Sequence, residues 1–271
     1  MLGCRVHATD ALTQAPSRVD PPWRARAFGS SGADLEVAFG APERASAVTA
    51  LLTACLTDAQ GRAVDAEQAW DWTLNQRLQA LIAVRLASGT TPLELHADCA
   101  HCGEAMALDL DLLVIASAAA PERFTWRRED GIELSLRLPR GRDLQQWTKD
   151  GVQSPAAMFA SLIDVADARP EALNPDFDAE WLPALEAAFE AHDPLTALRL
   201  QTRCPHCEHD NAVSCDLEAL LLDGFKRSQL ALLDEVLRLA RALHWSEAEI
   251  LRLPAWRRSH YLNRLDARGW A

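Results

Sequence analysis

Neither a membrane-spanning run nor an export signal is visible in the 271 residues of this chain. No stretch of about 18 uncharged apolar residues occurs, and residues 1–10 hold no apolar run of signal-peptide length. With 12 glycines and 14 prolines, the composition also excludes collagen-like and low-complexity classes. Since 49% of the residues are hydrophobic, we expect one or two folded domains in a cytoplasmic protein that does not bind membranes.

Catalytic signatures are missing as well. The sequence has no G-x-S-x-G nucleophile motif, no H-E-x-x-H motif, no P-loop and no dinucleotide fingerprint. Asp109 and Asp111 resemble a carboxylate pair, but they fall on the polar face of a predicted strand, where exposure to solvent explains them. The segment Arg140-Gly141-Arg142-Asp143 fits an anion-binding turn or a tight turn before a helix starting at Asp143, and we favour the second. The sequence therefore predicts that the protein is not an enzyme.

Positive charge is scarce in most of the chain. Residues 224–271 hold nine Lys and Arg against five Asp and Glu, a net charge of +4. The other 223 residues hold 18 basic and 34 acidic residues, a net charge of −16. Because nucleic-acid affinity depends on Lys and Arg that replace counterions, this balance disfavours a nucleic-acid partner.

Cysteines form the most specific motif. Four of the seven occur in two C-x-x-C turns, Cys99-Ala-His-Cys102 and Cys204-Pro-His-Cys207. Two such turns supply the four thiolates of a tetrahedral site, which favours structural zinc, with an iron–sulfur cluster as a weaker option. Two half-sites completed across a dimer and a redox-active pair are further alternatives. With four sulfur ligands the zinc would have no open position, which argues against a zinc hydrolase.

An internal repeat surrounds these turns. An offset of 105 residues aligns Cys99 with Cys204 and also pairs Leu95 with Leu200 and Leu108 with Val213. Each copy predicts a strand, a cysteine turn and a second strand. A single zinc would then join the two copies and leave residues 103–203 as an insertion. We expect Cys55 and Cys215 to be core residues rather than ligands.

The predicted fold class is α+β: a four-cysteine zinc ribbon built from two repeated C-x-x-C β-hairpins, surrounded by helices and followed by a helical C-terminal module. We predict four regions. Residues 1–40 are a flexible Pro-rich arm and 41–92 form helices, one of them spanning 65–86. Residues 93–223 form the ribbon core, whose insertion 103–203 carries a second hairpin around Asp130-Gly131 and helices at 155–166 and 178–191. Residues 224–271 are a basic helical module.

The C-terminal module is the predicted partner-binding surface. A long apolar stripe runs from Leu217 to Leu243, and a capping box at Ser246 and Glu249 starts the next helix. Large aromatic side chains beside arginine would suit a protein-binding surface, although core packing is the default interpretation of these tryptophans. The predicted contact residues are His244, Trp245, Trp256, Arg257 and Arg258.

These features together resemble a family, the baseplate or hub assembly proteins of contractile phage tails of the T-even type. The resemblance covers about residues 40–271. It rests on the paired C-x-x-C hairpins, the segment Leu138-Pro139-Arg140-Gly141-Arg142-Asp143-Leu144, and the helix from Leu221 to Arg241 that ends in His244-Trp245-Ser246. The C-terminal segment through Trp256-Arg257-Arg258 is similar to extensions of small tail-assembly chaperones.

The resemblance implies a function. It suggests a non-enzymatic assembly factor or structural accessory of a baseplate hub, in a phage or a phage-like injection system, that binds hub or tape-measure proteins. Such a protein would act in the bacterial cytoplasm or be incorporated in a tail particle. The competing interpretation is a nucleic-acid-binding zinc ribbon. Acidic residues beside both cysteine turns (Asp98, Glu104 and Glu208) count against it.

Overall fold

A computed structural model describes residues 4–5, 7–8, 21–40, 43–89, 93–116, 120–127, 131, 133–164 and 181–267. These residues form a mixed α+β structure with small antiparallel hairpins, as predicted. The strands are β1 (Cys4–Arg5), β2 (His7–Ala8), β3 (Trp23–Ala25), β4 (Leu56–Asp58), β5 (Leu93–Asp98), β6 (Ala105–Leu110), β7 (Arg123–Arg127), β8 (Glu133–Arg137), β9 (Arg199–Arg203) and β10 (Asp210–Ser214).

Helices account for most of the remaining described residues. They are α1 (Arg44–Cys55), α2 (Ala66–Asp71), α3 (Leu74–Ala87), α4 (Leu112–Ile115), α5 (Gly141–Asp150), α6 (Pro155–Ala160), α7 (Leu182–His192), α8 (Leu217–Leu243), α9 (Glu247–Leu251) and α10 (Ala255–Ala267). Within the described part of the chain, none of these helices is long and apolar enough to cross a membrane.

The chain divides into two compact units. The first, here the cysteine unit, contains the described residues of 1–20, 67–79 and 92–217. The second, here the helical unit, contains those of 21–66, 80–91 and 218–271. The division groups residues by contact rather than by chain order, so residues 21–66 and the C-terminal helices fall in one unit.

The repeat is visible in the cysteine unit as two three-stranded sheets. β5 pairs with β6 in one sheet and β9 pairs with β10 in the other, both antiparallel. Leu95 lies opposite Leu108, and Leu200 lies opposite Val213, which are the pairs that the 105-residue offset relates. Leucines at alternate positions are buried on one face of each hairpin, which explains the period-2 pattern in the sequence.

The N-terminal residues complete both sheets. β1 pairs in parallel with β6, with Cys4 opposite Leu108, and β2 pairs antiparallel with β9, with His7 opposite Gln201. These four residues are thus paired in sheets, within the region that the sequence predicts to be a flexible arm. Two-residue strands have no periodicity that a sequence could reveal, since their pairing is set by the sheets that receive them. The rest of residues 1–20 lies outside the described residues.

Residues 21–40 of the predicted arm are also folded, and a buried carboxylate holds them. Asp34 is fully buried and accepts two hydrogen bonds from the Arg26 guanidinium, at 2.6 and 2.9 Å. Its carboxylate also accepts the backbone N–H groups of residues 29, 30 and 31 at 2.7–3.1 Å. Gln229 of α8 donates to three carbonyls of this segment, those of residues 34, 35 and 37. A buried charge is stable only when it is bonded this fully, so the network fixes the loop.

The C-terminal helices of the helical unit share one apolar core. Leu232, Val236 and Leu239 on the inner face of α8 pack against buried side chains of α9 and α10 (Ile250, Leu251, Leu262 and Leu265). The predicted capping box is present: the Ser246 side chain accepts the Glu249 N–H, and the Glu249 carboxylate accepts the Ser246 N–H. Residues 244–267 are thus an integral part of this unit.

The insertion has its own core around the predicted second hairpin. Phe124 on β7 lies opposite Leu136 on β8, and both are buried against Leu138, Ile163 and Leu185. The predicted helix at 155–166 corresponds to α6, which ends at Ala160, and the predicted helix at 178–191 corresponds to α7, which is described from Leu182 to His192. Residues 165–180, where the other predicted boundaries fall, lie outside the described residues.

The Arg140–Asp143 segment is the start of α5. The helix begins at Gly141, two residues before the predicted start, because the Asp143 carboxylate accepts the Arg140 N–H at 2.7 Å and caps the first turn. Arg142 is ion-paired with Glu67 and Asp71 of α2. Its charge is therefore balanced within the unit, which supports the turn over the anion-binding alternative.

A close approach at Gly141 interrupts the predicted helix 65–86. Gly141 N–H donates to the Trp72 carbonyl, and Leu74 N–H donates to the Pro139 carbonyl, so the chain between α2 and α3 pairs with the segment before α5. Arg77 is fully buried below this point and donates to the Ala69 carbonyl at 2.7 Å. A Cβ at residue 141 would lie 2.5 Å from Arg77 Nη1, so only glycine fits there.

Gly141→Ala is accordingly expected to lower the free energy of unfolding by about 1–3 kcal/mol, because the new methyl group displaces a buried guanidinium. Thermal or urea unfolding of the purified variant measures the change. The matched control is Gly40→Ala, where a Cβ meets no atom within 4 Å and the backbone needs no left-handed conformation. Equal losses in the two variants would contradict the close-approach explanation.

Candidate metal centre

Two cysteine turns with the same backbone geometry form the site. In the first, after β5, Cys99 N–H donates to the Glu104 carbonyl, and Gly103 N–H donates to the Cys99 carbonyl, both at 2.9 Å. In the second, after β9, Cys204 N–H donates to the His209 carbonyl at 2.9 Å, and Glu208 N–H donates to the Cys204 carbonyl at 3.0 Å. The two copies of the repeat therefore share the backbone hydrogen bonds that orient each pair of cysteines.

The four predicted ligands come together. The sulfurs of Cys99, Cys102, Cys204 and Cys207 all lie within 4.8 Å of one another. Two contacts between the hairpins, Cys99 Sγ to Cys207 Sγ and Cys102 Sγ to Cys204 Sγ, measure 3.7 Å. A tetrahedron with Zn–S distances of about 2.3 Å has S–S edges of about 3.8 Å, so this spacing fits a four-sulfur metal site. A disulfide, at about 2.05 Å, does not fit it.

Hydrogen bonds favour the thiolate at Cys99. The pKa of its thiol is lowered to about 6, first by the backbone N–H of Cys102 and further by the N–H of His101 and the Asn211 side chain. Thiolate is the form that binds metal, so these donors prepare a ligand. Asn211 Nδ2 lies 3.6 Å from Cys99 Sγ, although Asn211 belongs to the other hairpin.

Histidines near the turns lie outside the sulfur cluster. The rings of His101 and His209 stack on each other at 5.1 Å, and His96 on β5 is paired with Glu94 at the surface. Among the described residues, the cluster that can hold a metal consists of the four cysteines. Four thiolates satisfy a tetrahedral ion completely and leave no position for an activated water.

Two other cysteines are buried away from the cluster, as predicted. Cys55 ends α1, and burial raises the pKa of its thiol to about 12. Cys215 follows β10, and burial raises its pKa to about 11. Both thiols remain protonated at neutral pH and act as small core residues. The side chain of Cys4 lies outside the described residues.

The predicted partner-binding residues have different environments in the helical unit. His244 is exposed at the end of α8, and Trp256 on α10 is 71% exposed. Arg257 is exposed and lies over the Tyr261 ring. Trp245 is half-buried with its ring edge-on to Tyr261, so much of its surface packs inside the unit.

Arg258 is the exception that the structure corrects. It is only 3% exposed, and its guanidinium donates to Glu235 at 3.1 Å and to the carbonyls of Leu253 and Gly29 at 2.8 and 2.9 Å. A side chain with this burial holds the unit together and cannot line a docking surface.

An exposed leucine stripe on α8 is a feature that the sequence analysis missed. Leu230, Leu233 and Leu237 are 53%, 37% and 60% exposed. The predicted stripe from Leu217 to Leu243 is instead the buried face of the same helix, represented by Leu221, Leu232 and Leu239. Leu230, Leu233 and Leu237 are spaced by three and four residues, which places them on one side of the helix, opposite the buried face. This spacing is the sequence signal that indicates a second apolar face.

Comparison with known proteins places the chain in a family. A family model described as T4 bacteriophage base plate protein matches residues 38–222, about two thirds of the chain and both cysteine turns. The protein belongs to this family. The family membership confirms the resemblance for residues 38–222, whereas the segment likened to tail-assembly chaperones lies beyond the match. Neither the curated proteins nor the solved structures contain a match to the chain.

Removal of one thiolate tests the ligand set. Cys204→Ser is expected to abolish stoichiometric metal binding and to lower the unfolding temperature, because three thiolates hold zinc far less tightly than four. Elemental analysis after gel filtration and a thermal melt measure both effects. Cys215→Ala, at a buried cysteine outside the cluster, is the control and keeps the metal. Full metal content in the Cys204 variant would rule out the four-sulfur site.

The repeat offers a matched pair of backbone variants. Gly103 and Glu208 are equivalent residues and both have left-handed backbones, with φ of 73° and 60°. Gly103→Ala is expected to lower stability by about 1 kcal/mol and Glu208→Gly to raise it by up to about 1 kcal/mol. Glu208→Ala separates backbone strain from the lost surface pair with Arg203, which contributes little. Chemical denaturation of the unmodified protein and the three variants measures the free energy of unfolding. If Glu208→Gly were less stable than Glu208→Ala, the explanation from backbone strain would be contradicted.

Proposed function

We propose that this protein is a non-enzymatic assembly factor or structural accessory of the baseplate hub in a contractile tail, of a phage or a phage-like injection system. Membership of the T4 bacteriophage base plate family is the observation that carries the proposal. The sulfur cluster is consistent with it, because a closed four-thiolate site has a structural role and no reactive position. The protein then acts through contacts with hub or tape-measure proteins.

Structural zinc is the proposed occupant of the sulfur cluster. Thiolate donors in a tetrahedral arrangement prefer zinc to hard cations, and the 3.7 Å sulfur contacts suit its size. The ion would join the two hairpins as one zinc ribbon and close the insertion between them. Zinc supplies charge and coordination there, while the cysteine turns orient the sulfurs through their own hydrogen bonds.

The proposed partner surface lies on the helical unit. Its members are the exposed leucines 230, 233 and 237, with His244, Trp256 and Arg257. Leucines spaced at three and four residues fit an apolar stripe of a partner helix, and an exposed tryptophan is a common anchor. Trp245 contributes only its exposed part, and Arg258 supports the surface from below.

Charge indicates the kind of partner helix. Exposed basic residues lie toward both ends of the leucine stripe, Lys226 and Arg227 before it and Arg241 after it. The exposed acids on this side of α8 are Asp223 and Asp234. Antiparallel pairing with a second copy, with Leu230 opposite Leu237, would place Lys226 against Arg241. Like charges oppose each other there, so an amphipathic helix with acidic flanks fits better.

Point variants test the surface better than truncation does. Removal of residues 244–271 would delete Ile250, Leu251, Leu262 and Leu265 from the core of the helical unit and unfold it. Trp256→Ser and Leu237→Ser instead change exposed side chains and should leave the fold intact. Each is expected to weaken binding of the hub or tape-measure protein by about tenfold or more, because both remove apolar contact area.

Co-purification of tagged variants with co-expressed hub and tape-measure proteins, followed by titration of the recovered partner, measures the loss. Leu113→Ser is the matched control, since Leu113 is as exposed as Leu237 but lies in the cysteine unit. Unchanged binding by both surface variants would reject this surface. A salt-dependent gel shift with nucleic acid at physiological ionic strength, without any tail partner, would favour the competing function.

A further inference from the structure

A buried amide links the two hairpins of the sulfur cluster. Asn211 lies on β10 in the second hairpin and is only 5% exposed. Its Oδ1 accepts the backbone N–H of Ala100 in the first cysteine turn at 2.9 Å. Its Nδ2 lies 3.6 Å from Cys99 Sγ and donates to the His209 carbonyl at 2.9 Å. One side chain thus bonds to a ligand, to the turn that carries the ligand, and to its own turn.

The repeat shows that this link is specific to one half. The residue equivalent to Asn211 in the first hairpin is Met106, which is buried and has no amide in its side chain. An apolar side chain is sufficient for strand pairing at this position, because the equivalent residue of the other hairpin is Met106. A buried amide in place of an apolar side chain is stable only because each of its polar atoms is bonded.

We infer that Asn211 is a positioning residue that holds the two cysteine turns in register before metal binds and donates to the Cys99 ligand when it is bound. The inference rests on the proposed metal site and adds the group that preorganises it. Hydrogen bonds around a ligand fix its orientation, and their loss in metalloproteins typically weakens metal affinity by about 10- to 100-fold. Because Ala100 and Asn211 are 111 residues apart in sequence, their bond joins two distant parts of the chain.

Two substitutions separate the roles of the amide. Asn211→Leu keeps the branching of the side chain and removes both polar atoms, so it breaks the bond to Ala100 and the contact with Cys99 Sγ. Asn211→Asp keeps an acceptor for Ala100 N–H but replaces the donor beside Cys99 with an anion. Met106→Leu, at the equivalent residue of the first hairpin, is the control for a change of buried side chain that touches neither contact.

Metal affinity is measured by competition of zinc with a chromophoric chelator. We expect the affinity of both Asn211 variants to fall by about 10- to 100-fold, while Met106→Leu binds like the unmodified protein. Cobalt(II) in place of zinc gives a second readout. Loss of a donor makes the Cys99 thiolate more electron-rich, so the sulfur-to-cobalt charge-transfer band should move to longer wavelength in both Asn211 variants. A purely structural loss of stability would leave the band position unchanged.

Hydrogen exchange of the Ala100 amide reports the link without metal. After a chelator has removed the metal, this amide should be protected from exchange. The protection should be lost in Asn211→Leu but kept in Asn211→Asp. The amides of Cys99 and Cys204 bond within their own turns and serve as internal references. An unprotected Ala100 amide in the chelated unmodified protein would show that the turns are not held before metal binds.

The outcomes distinguish this inference from the proposed metal site. If the unmodified protein binds neither zinc nor cobalt(II), the metal site is wrong and the positioning role falls with it. If it binds metal and Asn211→Leu binds equally tightly with an unshifted cobalt band, the metal site stands and the role of Asn211 is refuted.

Discussion

The meeting of four sulfurs from two distant hairpins is the constraint that organises the cysteine unit. The two turns are 105 residues apart, and the 101 residues of the insertion lie between them. Closing a flexible loop of this length costs on the order of 4 kcal/mol, since the cost grows only with the logarithm of length. Structural zinc contributes on the order of 10 kcal/mol, so a proposed zinc site outweighs this loop entropy. Sulfurs of one chain suffice for the cluster, which disfavours half-sites completed across a dimer.

Buried charge has a comparable role elsewhere in the chain. Asp34 and Arg258 are both buried, and each is surrounded by enough hydrogen bonds to offset the loss of water. Asp143 caps α5 and also pairs with Arg137 at 2.6 Å. These residues appear in sequence as members of a loose arm, a contact surface and a basic turn. Their partners are fixed by the fold, so a sequence pattern alone cannot identify them.

Local patterns in the sequence predicted much of the fold. Alternation of leucines identified β5, β6 and β9, Asp130-Gly131 marked the second hairpin, and Ser246 with Glu249 located the start of α9. The C-x-x-C spacing identified the four cysteines whose sulfurs cluster. Each of these signals lies within a few neighbouring residues, where backbone geometry and side-chain chemistry act directly.

Features that depend on distant contacts were not predictable in the same way. Strands β1 and β2 are too short to show a period, and the break between α2 and α3 follows from pairing with residues 139–141. The two units interleave along the chain, so composition could not reveal their division. Asn211 looked like an ordinary strand residue, because its importance arises from its position beside a sulfur of another hairpin.

The family match contains both cysteine turns and ends at residue 222, whereas the exposed leucines and Trp256 lie beyond it. The proposed closed metal site would give such a protein a fixed framework and no reactive group, so the proposed function depends on its surfaces. Because the proposed contacts lie beyond that boundary, substitutions there can change partner binding without any change to the four cysteines or their turns.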